Sequence, residues 1–406
     1  MRLKPSQGKE RKMKRIISIL LSLAIAGILV PSQAPAQEPI KIGVPMTLVG
    51  IAAQVGIDNR NGILLAAKHK KTILGRPIKL IIEDEEGKPE IGIRKAEKLV
   101  YNDGVVALLG VAFSGVGLAI AGEADRLGVP FLTTNVMTPK FYGISKYVFR
   151  CGQLADDQVA VAHAMGVLAS PDLKKRSYYV LADDYAWGHS CSEAFIDLAQ
   201  KKGIKIYNAK YDNAALNVVD WSPFVGKVAA SKVDGMYSCL RSPIIPRFVD
   251  QAHKFGLMKK IKVIAGGSPS EAALEAGGDA MVGIVTACAW SWDIDTPASN
   301  KFAKAYWEEF KAVPPSQGAQ AYTGAMVLFN AIEKAGSTDP EKIINALKGA
   351  TFDGPYGKVR ISPKDNCMRT PAVLTETQLA PSNPFGAKIV KKVIAHLTPE
   401  QIGPPE

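Results

Sequence analysis

Short runs of β-branched and apolar residues alternate along the chain with longer stretches whose apolar residues recur at helical spacing. This alternation is the sequence form of βαβ units built around a parallel sheet. In the first half the pattern predicts strands at 40–44, 78–83, 105–110 and 130–134. Helices are predicted between these strands at 56–70, 91–103 and 117–127.

A second series with the same alternation of strands and helices follows. Two such series predict two similar lobes. The strands of the second series are expected at 177–182, 204–211, 235–240, 263–265 and 282–287, and its helices at 189–202, 223–231, 245–255 and 270–276. Between the two series, "YVFRC" at 147–151 indicates a strand that crosses from one lobe to the other. Helices at 298–310, 319–335 and 340–347 and a strand at 372–377 come last, which implies several crossings between the lobes.

The first 36 residues have the pattern of a secretory signal peptide. A basic leader precedes 15 mostly apolar residues, 16–30, and "APA" at 34–36 matches an A-x-A cleavage site. We expect cleavage after Ala36, and Met13 is an alternative start because the segment from there is already complete. No cysteine follows the cleavage pattern, so a lipid anchor is not indicated.

The leader also accounts for half of the formal net charge of +12, because its 15 residues contain seven basic side chains and one acidic side chain. The remaining positive charge is ordinary for an exported protein and is not clustered with aromatic residues, so nucleic-acid binding is not expected. Five cysteines are too few and too scattered for a disulfide scaffold, and their odd number leaves the pairing open.

The segment "ALLGVAFSGVG" at 107–117 is the first candidate for chemistry, because ligands bind beyond the carboxyl ends of parallel strands. It lacks the lysine of a phosphate-binding loop and the glycine spacing of a dinucleotide fingerprint. What remains is a helix N-terminus beside Ser114, which suits a carboxylate. Ser114 could equally cap that helix while Phe113 packs in a core. No nucleophile motif of an enzyme is present, so neither catalysis nor a cofactor is expected.

The order of several segments resembles that of the periplasmic solute-binding proteins of the leucine/isoleucine/valine-binding type, which serve ABC importers. These segments are "IKIGVPMTLVGIAAQVG", "ALLGVAFSGVG", "GVPFLTTNVMTP" and "VLADDYAWGHS", and the resemblance covers about residues 40–377. It implies an α/β fold of two Rossmann-like lobes with parallel central sheets, joined by three crossover strands. The first lobe is then 37–152 plus 288–360, and the second is 153–287 plus 361–406.

The same resemblance implies a ligand trapped between the lobes as a hinge closes. Ser114 matches the serine that receives a ligand carboxylate, and Trp187 falls where an aromatic side chain covers the ligand. The residues expected at the ligand are Phe113, Ser114, Thr134, Asn135, Met137, Trp187, Arg241 and Ser268.

Two residues depart from the pattern of the amino-acid binders. Arg241 stands where those proteins have a tyrosine, and Ser268 stands where they have an acid that holds the ligand ammonium. An arginine can pair with a carboxylate, while a buried ammonium without a charge partner is costly. An organic acid, an aromatic acid or an amide is therefore expected in preference to a plain α-amino acid, although Arg241 could also form a salt bridge at the rim of the cleft.

The resemblance implies a monomeric, non-enzymatic carrier in the periplasm whose partners are a small ligand and the membrane permease of an ABC importer. A ligand sensor of the same fold that signals to a membrane receptor is the alternative, since it would use the same residues. An exported enzyme is the third class, and it would need a nucleophile or metal set that the sequence does not offer.

Overall fold

The computed structural model describes residues 37–50 and 53–403, so the predicted signal peptide of residues 1–36 lies outside the described residues. The strands are β1 Ile40–Met46, β2 Thr72–Ile73, β3 Arg76–Asp84, β4 Ala107–Gly110, β5 Phe131–Thr133, β6 Val148–Arg150, β7 Ser177–Asp183, β8 Lys205–Ile206, β9 Asp212–Ala214, β10 Gly235–Cys239, β11 Lys262–Ala265, β12 Val285–Cys288, β13 Thr351–Gly354, β14 Gly357–Ile361, β15 Met368–Arg369, β16 Ala372–Leu379 and β17 Ile389–Leu397.

The α-helices follow in chain order. They are α1 Ala53–Lys70, α2 Pro89–Glu97, α3 Ser114–Gly122, α4 Ala124–Leu127, α5 Asp156–Ala169, α6 Pro171–Lys175, α7 Ala186–Lys202, α8 Ser222–Ala230, α9 Ile245–Lys254, α10 Glu271–Gly277, α11 Pro297–Phe310, α12 Ser316–Ala335, α13 Pro340–Leu347 and α14 Pro399–Ile402. None of the described helices is both long and apolar enough to cross a membrane.

The first sheet has the strand order β2-β3-β1-β4-β5-β6 and is parallel except for the β2–β3 hairpin. All four residues of β4 are buried, as are six of the seven residues of β1. Strands covered by helices on both faces read as nearly continuous apolar runs. This is why the hydrophobic pattern located the central strands to within a few residues.

The second sheet has the strand order β17-β16-β12-β11-β10-β7-β8, and β9 pairs with β7. Its centre, from β7 to β12, is parallel, and β16 and β17 add an antiparallel edge. The predicted α/β class with two mostly parallel sheets is confirmed.

The helices after the second sheet return to the first one. The long helix α12 packs along α1, and a Cβ atom added to Gly62 would lie only 2.1 Å from the carbonyl oxygen of Gly318. The two helix backbones therefore approach each other as only glycine allows.

Within residues 53–403 the chain passes between the two groups of elements three times: after β6, after β12 and before β16. At the first passage the buried Arg150 donates hydrogen bonds to the carbonyl oxygen of Gln153 and to Oε1 of Gln158. Arg150 also forms a β-bridge with Cys367, which lies beside the third passage. The first and third crossings are thus joined by backbone hydrogen bonding.

Several sequence predictions were wrong in detail. Of the strand predicted at 204–211 only β8 forms; the chain then turns, and β9 begins just beyond the predicted range. The helix predicted at 91–103 is α2 followed by a π-helical turn over Lys98–Asn102. Helices α5 and α6, strands β13 to β15 and strand β17 were not predicted.

Candidate ligand-binding site

A cavity that is partly open to solvent and contains about 510 Å³ of empty space lies beyond the carboxyl ends of strands from both sheets. Seven of the eight residues predicted at the ligand line it, namely Phe113, Ser114, Asn135, Met137, Trp187, Arg241 and Ser268. The residues that sequence reasoning missed are Val55, Ala112, Gln153, Tyr185, Ser242, Pro243, Gly267 and Gln317. Most of these adjoin a predicted residue in the same loop, but Val55 and Gln317 come from the helices α1 and α12.

Thr134 is the predicted residue that does not line the cavity. Its side chain is fully buried, and its Cγ2 atom would lie 3.4 Å from a Cβ atom built on Gly324 of α12. Thr134 therefore faces the packing between the first sheet and α12. The prediction placed Thr134 with its neighbour Asn135, but successive residues of an extended segment point in opposite directions.

Three helices begin at the cavity, and their first turns supply Ser114 of α3, Trp187 of α7 and Gln317 of α12. In the described structure no side chain caps the N-terminus of any of these helices. Uncapped first-turn N–H groups carry partial positive charge and are free to donate hydrogen bonds. The walls of the cavity therefore suit an anion even before side-chain charges are counted.

Ser114 does not cap its own helix, because the residue at the N-cap position of α3 is Phe113. Instead, its Oγ accepts a hydrogen bond from the backbone N–H of Met137 at 3.4 Å. A hydroxyl that accepts in this way can still donate its own proton to a ligand. The neighbouring Asn135 donates its Nδ2–H to the carbonyl oxygen of Ala112 at 2.9 Å, which holds the two loops together.

Two amide side chains of the cavity have an oxygen without a hydrogen-bond partner among the described residues. They are Oδ1 of Asn135 and Oε1 of Gln317, whose Nε2–H group donates to the carbonyl oxygen of Ser268 at 3.4 Å. Buried polar atoms are normally hydrogen-bonded. Amide oxygens are acceptors, so these two are available to an O–H or N–H group of a ligand.

Arg241 is the only charged residue among the described lining residues of this cavity. Its Nε donates to Oδ2 of the fully buried Asp183 at 2.8 Å, and its Nη2 donates to the carbonyl oxygen of Leu216 at 3.0 Å. Burial raises the pKa of Asp183, and the guanidinium of Arg241 opposes that rise. The guanidinium also lies 5.8 Å from the ring centre of Tyr185.

Packing contacts and a disulfide fix the wall of the cavity that the second sheet provides, around Trp187. A Cβ atom on Gly267 would lie 2.9 Å from two carbon atoms of the Trp187 ring, so the ring packs directly on the backbone of that loop. A disulfide joins Cys191, one helical turn after Trp187, to Cys239, which is two residues before Arg241. The disulfide thus fixes the helix that carries the aromatic side chain to the strand that leads into the arginine.

A buried ionic cluster lies behind Ser268. Lys391 of β17 is fully buried and contacts Oε1 of Glu271 at 2.8 Å, the carbonyl oxygen of Pro269 at 3.0 Å and Oγ of Ser268 at 3.4 Å. Glu271 is therefore paired with a lysine and does not offer the cavity an unpaired carboxylate. Sequence reasoning missed this cluster because Lys391 is 123 residues from Ser268.

Comparisons with known proteins agree with this geometry. The family model described as periplasmic binding protein matches residues 39–382. The leucine-, isoleucine-, valine-, threonine- and alanine-binding protein of Pseudomonas aeruginosa is 26% identical over 86% of this chain and 92% of its own length.

Two solved structures have the same fold. A solute-binding protein of an ABC transporter from Rhodopseudomonas palustris BisB5, in complex with 3,4-dihydroxybenzoic acid, is 25% identical with a TM-score of 0.81. The match covers 89% of this chain and 97% of that one. A leucine-binding protein from Thermotoga maritima is also 25% identical, with a TM-score of 0.77 and coverage of 89% and 99%.

Proposed function

The chain belongs to the periplasmic binding protein family, whose members bind solutes and are not enzymes, and we propose that it carries a small organic anion to an ABC importer. The ligand is captured in the cleft between two lobes, which are residues 37–152 plus 288–360 and residues 153–287 plus 361–406. Closure of the lobes around the ligand then presents a distinct shape to the membrane permease.

The observation that carries this proposal is the convergence of three uncapped helix N-termini on one cavity. Helix α3 approaches from the first sheet and α7 from the second, so a ligand at this point touches elements of both. Contacts that exist only when both walls are in place favour the closed conformation, because a ligand shifts an equilibrium by its differential affinity.

The ligand class follows from the charges around the cavity. No carboxylate is found among the described residues that line it, and the nearby Glu271 is paired with Lys391. An α-ammonium group would therefore be buried without a charge partner, which is costly. The aromatic side chains of Phe113, Tyr185 and Trp187 suit a planar or apolar ligand body. We therefore favour an organic acid, above all an aromatic acid, or an amide.

Export is part of the same proposal. Residues 1–36 would direct secretion and be removed after Ala36, and the carrier would act in the periplasm as a monomer. Edman sequencing of protein recovered from the periplasm should begin at Gln37.

A thermal-shift screen tests the proposed function. The chain without residues 1–36 is stripped of bound ligand and screened against amino acids, dicarboxylates, aromatic acids and amides. Ligands that bind only the folded state raise the melting temperature by mass action. We expect aromatic or other organic acids to raise it, and to be recovered chemically unchanged. A screen in which no acid or amide shifts the melting temperature, or in which the bound acid is converted to a product, would contradict the proposal.

A further inference from the structure

A second cavity adjoins the first one. It contains about 920 Å³ of empty space, part of it open to solvent, and shares Phe113, Tyr185 and Arg241 with the smaller cavity. We call the cavity of about 510 Å³ the inner chamber and this one the outer chamber. The three shared side chains stand at the boundary between the chambers, so one ligand could extend through both.

The outer chamber differs from the inner one in the character of its walls. Apolar side chains of Val49, Val116 and Leu216 join the shared aromatic residues. Val49 and Leu216 are among the large hydrophobic residues exposed to solvent, at 52% and 43%. Neighbouring exposed apolar side chains in a concave surface typically mark an interaction site.

The charged groups of the outer chamber are already paired. Arg241 contacts Asp183, and Glu86 contacts Lys88 at 2.9 Å on the solvent side. Apart from Nη1 of Arg241, which stands at the boundary with the inner chamber, the described residues of the outer chamber therefore offer apolar surface without an unpaired charge. All three uncapped helix N-termini border the inner chamber, whereas only those of α3 and α7 border the outer one, through Gly115 and Ala186, and Ser114 lines only the inner chamber.

We propose that the ligand is an extended acid whose carboxylate binds in the inner chamber and whose aryl or alkyl substituent fills the outer chamber. This inference rests on the proposed function and adds a ligand length to it. Leu216, which follows β9, and Val49, which follows β1, would contact the substituent from the two sides of the cleft. Burial of each methylene group of the substituent should strengthen binding by roughly three- to fourfold.

A chain-length series tests this inference by isothermal titration calorimetry. Benzoate, phenylacetate, 3-phenylpropanoate and 4-phenylbutanoate are titrated into the ligand-free chain. Affinity should rise along the series by roughly three- to fourfold per methylene until the outer chamber is filled. The Leu216→Ser variant, which removes apolar surface without adding a charge beside Arg241, should weaken the longest acids by about tenfold and leave benzoate nearly unchanged. Leu379→Ser serves as the control, since Leu379 is 57% exposed and lines neither chamber.

The outcomes separate the inference from the proposed function. If benzoate binds and affinity stays flat or falls with length, the outer chamber does not hold the ligand and the inference is wrong while the proposed function stands. The same conclusion follows if Leu216→Ser weakens every acid equally. If no member of the series binds, and none of the amides or other acids of the screen does, the proposed function itself is wrong.

Discussion

The buried carboxylate of Asp183 accepts hydrogen bonds from both the guanidinium and the backbone of Arg241. Its Oδ2 atom accepts a hydrogen bond from Nε at 2.8 Å and another from the backbone N–H of Arg241 at 2.7 Å. The pair fixes the arginine at the boundary between the two chambers and neutralises much of its charge. Nη1 is left without a hydrogen bond to any of the described residues, so it is available to a ligand.

Replacing Arg241 with alanine should weaken binding of an anionic ligand by roughly tenfold or more, the scale of one lost charge-assisted hydrogen bond. The change also leaves Asp183 buried without its partner, so the melting temperature should fall as well. Calorimetric titration of the folded variant separates the two effects. The matched control is Arg126→Ala, because Arg126 is ion-paired with Glu97 and Glu123 on the surface. An unchanged affinity of the Arg241→Ala variant would show that Arg241 does not bind the ligand.

Replacing Gly267 with alanine should disturb the aromatic wall of the cleft. The added methyl group would lie 2.9 Å from the Trp187 ring, and a rigid ring cannot yield without moving as a whole. Overpacking of this kind costs about 1–3 kcal/mol of folding stability. Displacement of the ring from its place in the cavity wall should in addition weaken binding by roughly tenfold. Gly226→Ala on α8 is the control, since nothing lies within 4 Å of its added Cβ atom. Equal affinities for the two variants in a titration would show that Trp187 does not cover the ligand.

The disulfide between Cys191 and Cys239 should contribute substantially to stability. It closes a loop with a sequence separation of 48 residues, for which the chain-entropy model gives about 4 kcal/mol. Guanidinium unfolding of the Cys191→Ser/Cys239→Ser variant should show a loss of about that size. A reductant should destabilise the natural chain and have no further effect on the double variant. Equal stability of the natural chain with and without reductant would contradict this prediction.

Asp58 should make stability depend on pH. Burial raises its pKa to about 8, while Gln54 donates a hydrogen bond to its Oδ1 at 2.8 Å and the charges of Glu271 and Lys391 act in opposite senses. In the unfolded chain an aspartate has its ordinary pKa of about 3.9. Between about pH 4 and pH 8 the folded state therefore holds a proton that the unfolded state has lost. By linkage, this group makes the free energy of unfolding fall as the pH rises through that window.

Urea unfolding of Asp58→Asn at pH 5, 6, 7 and 8 checks this assignment. Asparagine cannot ionise, so the stability of the variant relative to the natural chain should improve steadily from pH 5 to pH 8. Asp197→Asn, which removes an exposed carboxylate from α7, controls for the change in net charge. A stability difference for Asp58→Asn that is constant across this range would refute the assignment.

The central strands and the loops that follow them could be predicted from sequence, because burial on both faces leaves nearly continuous apolar runs. Helix α5 could not be predicted in this way. Its buried residues lie on most of its circumference and include Gln158 and His163, so no apolar stripe marks one face. Strand β17 was missed for a related reason: it contains Lys391, which is fully buried only because Glu271 lies opposite.

The part of the candidate site that could be predicted consists of residues that follow a strand closely in the sequence. Ser114 and Trp187 come directly after strands, where ligands of parallel sheets bind, and both line the inner chamber. Arg241 and Ser268 have partners, Asp183 and Lys391, that are distant from them in the sequence. No spacing in the sequence shows that Asp183 pairs with a residue 58 positions later or that Lys391 lies behind Ser268.

We propose that the cleft binds a carboxylate and provides no charge partner for an α-ammonium group. Calorimetric titration with matched pairs tests it directly, because 3-phenylpropanoate is phenylalanine without its amino group and 4-methylpentanoate is leucine without its amino group. An unpaired buried ammonium is costly, so each acid should bind about tenfold or more tightly than its amino acid, provided that either member binds. Tighter binding of leucine or phenylalanine than of the matched acid would show that the cleft does provide for an α-ammonium group.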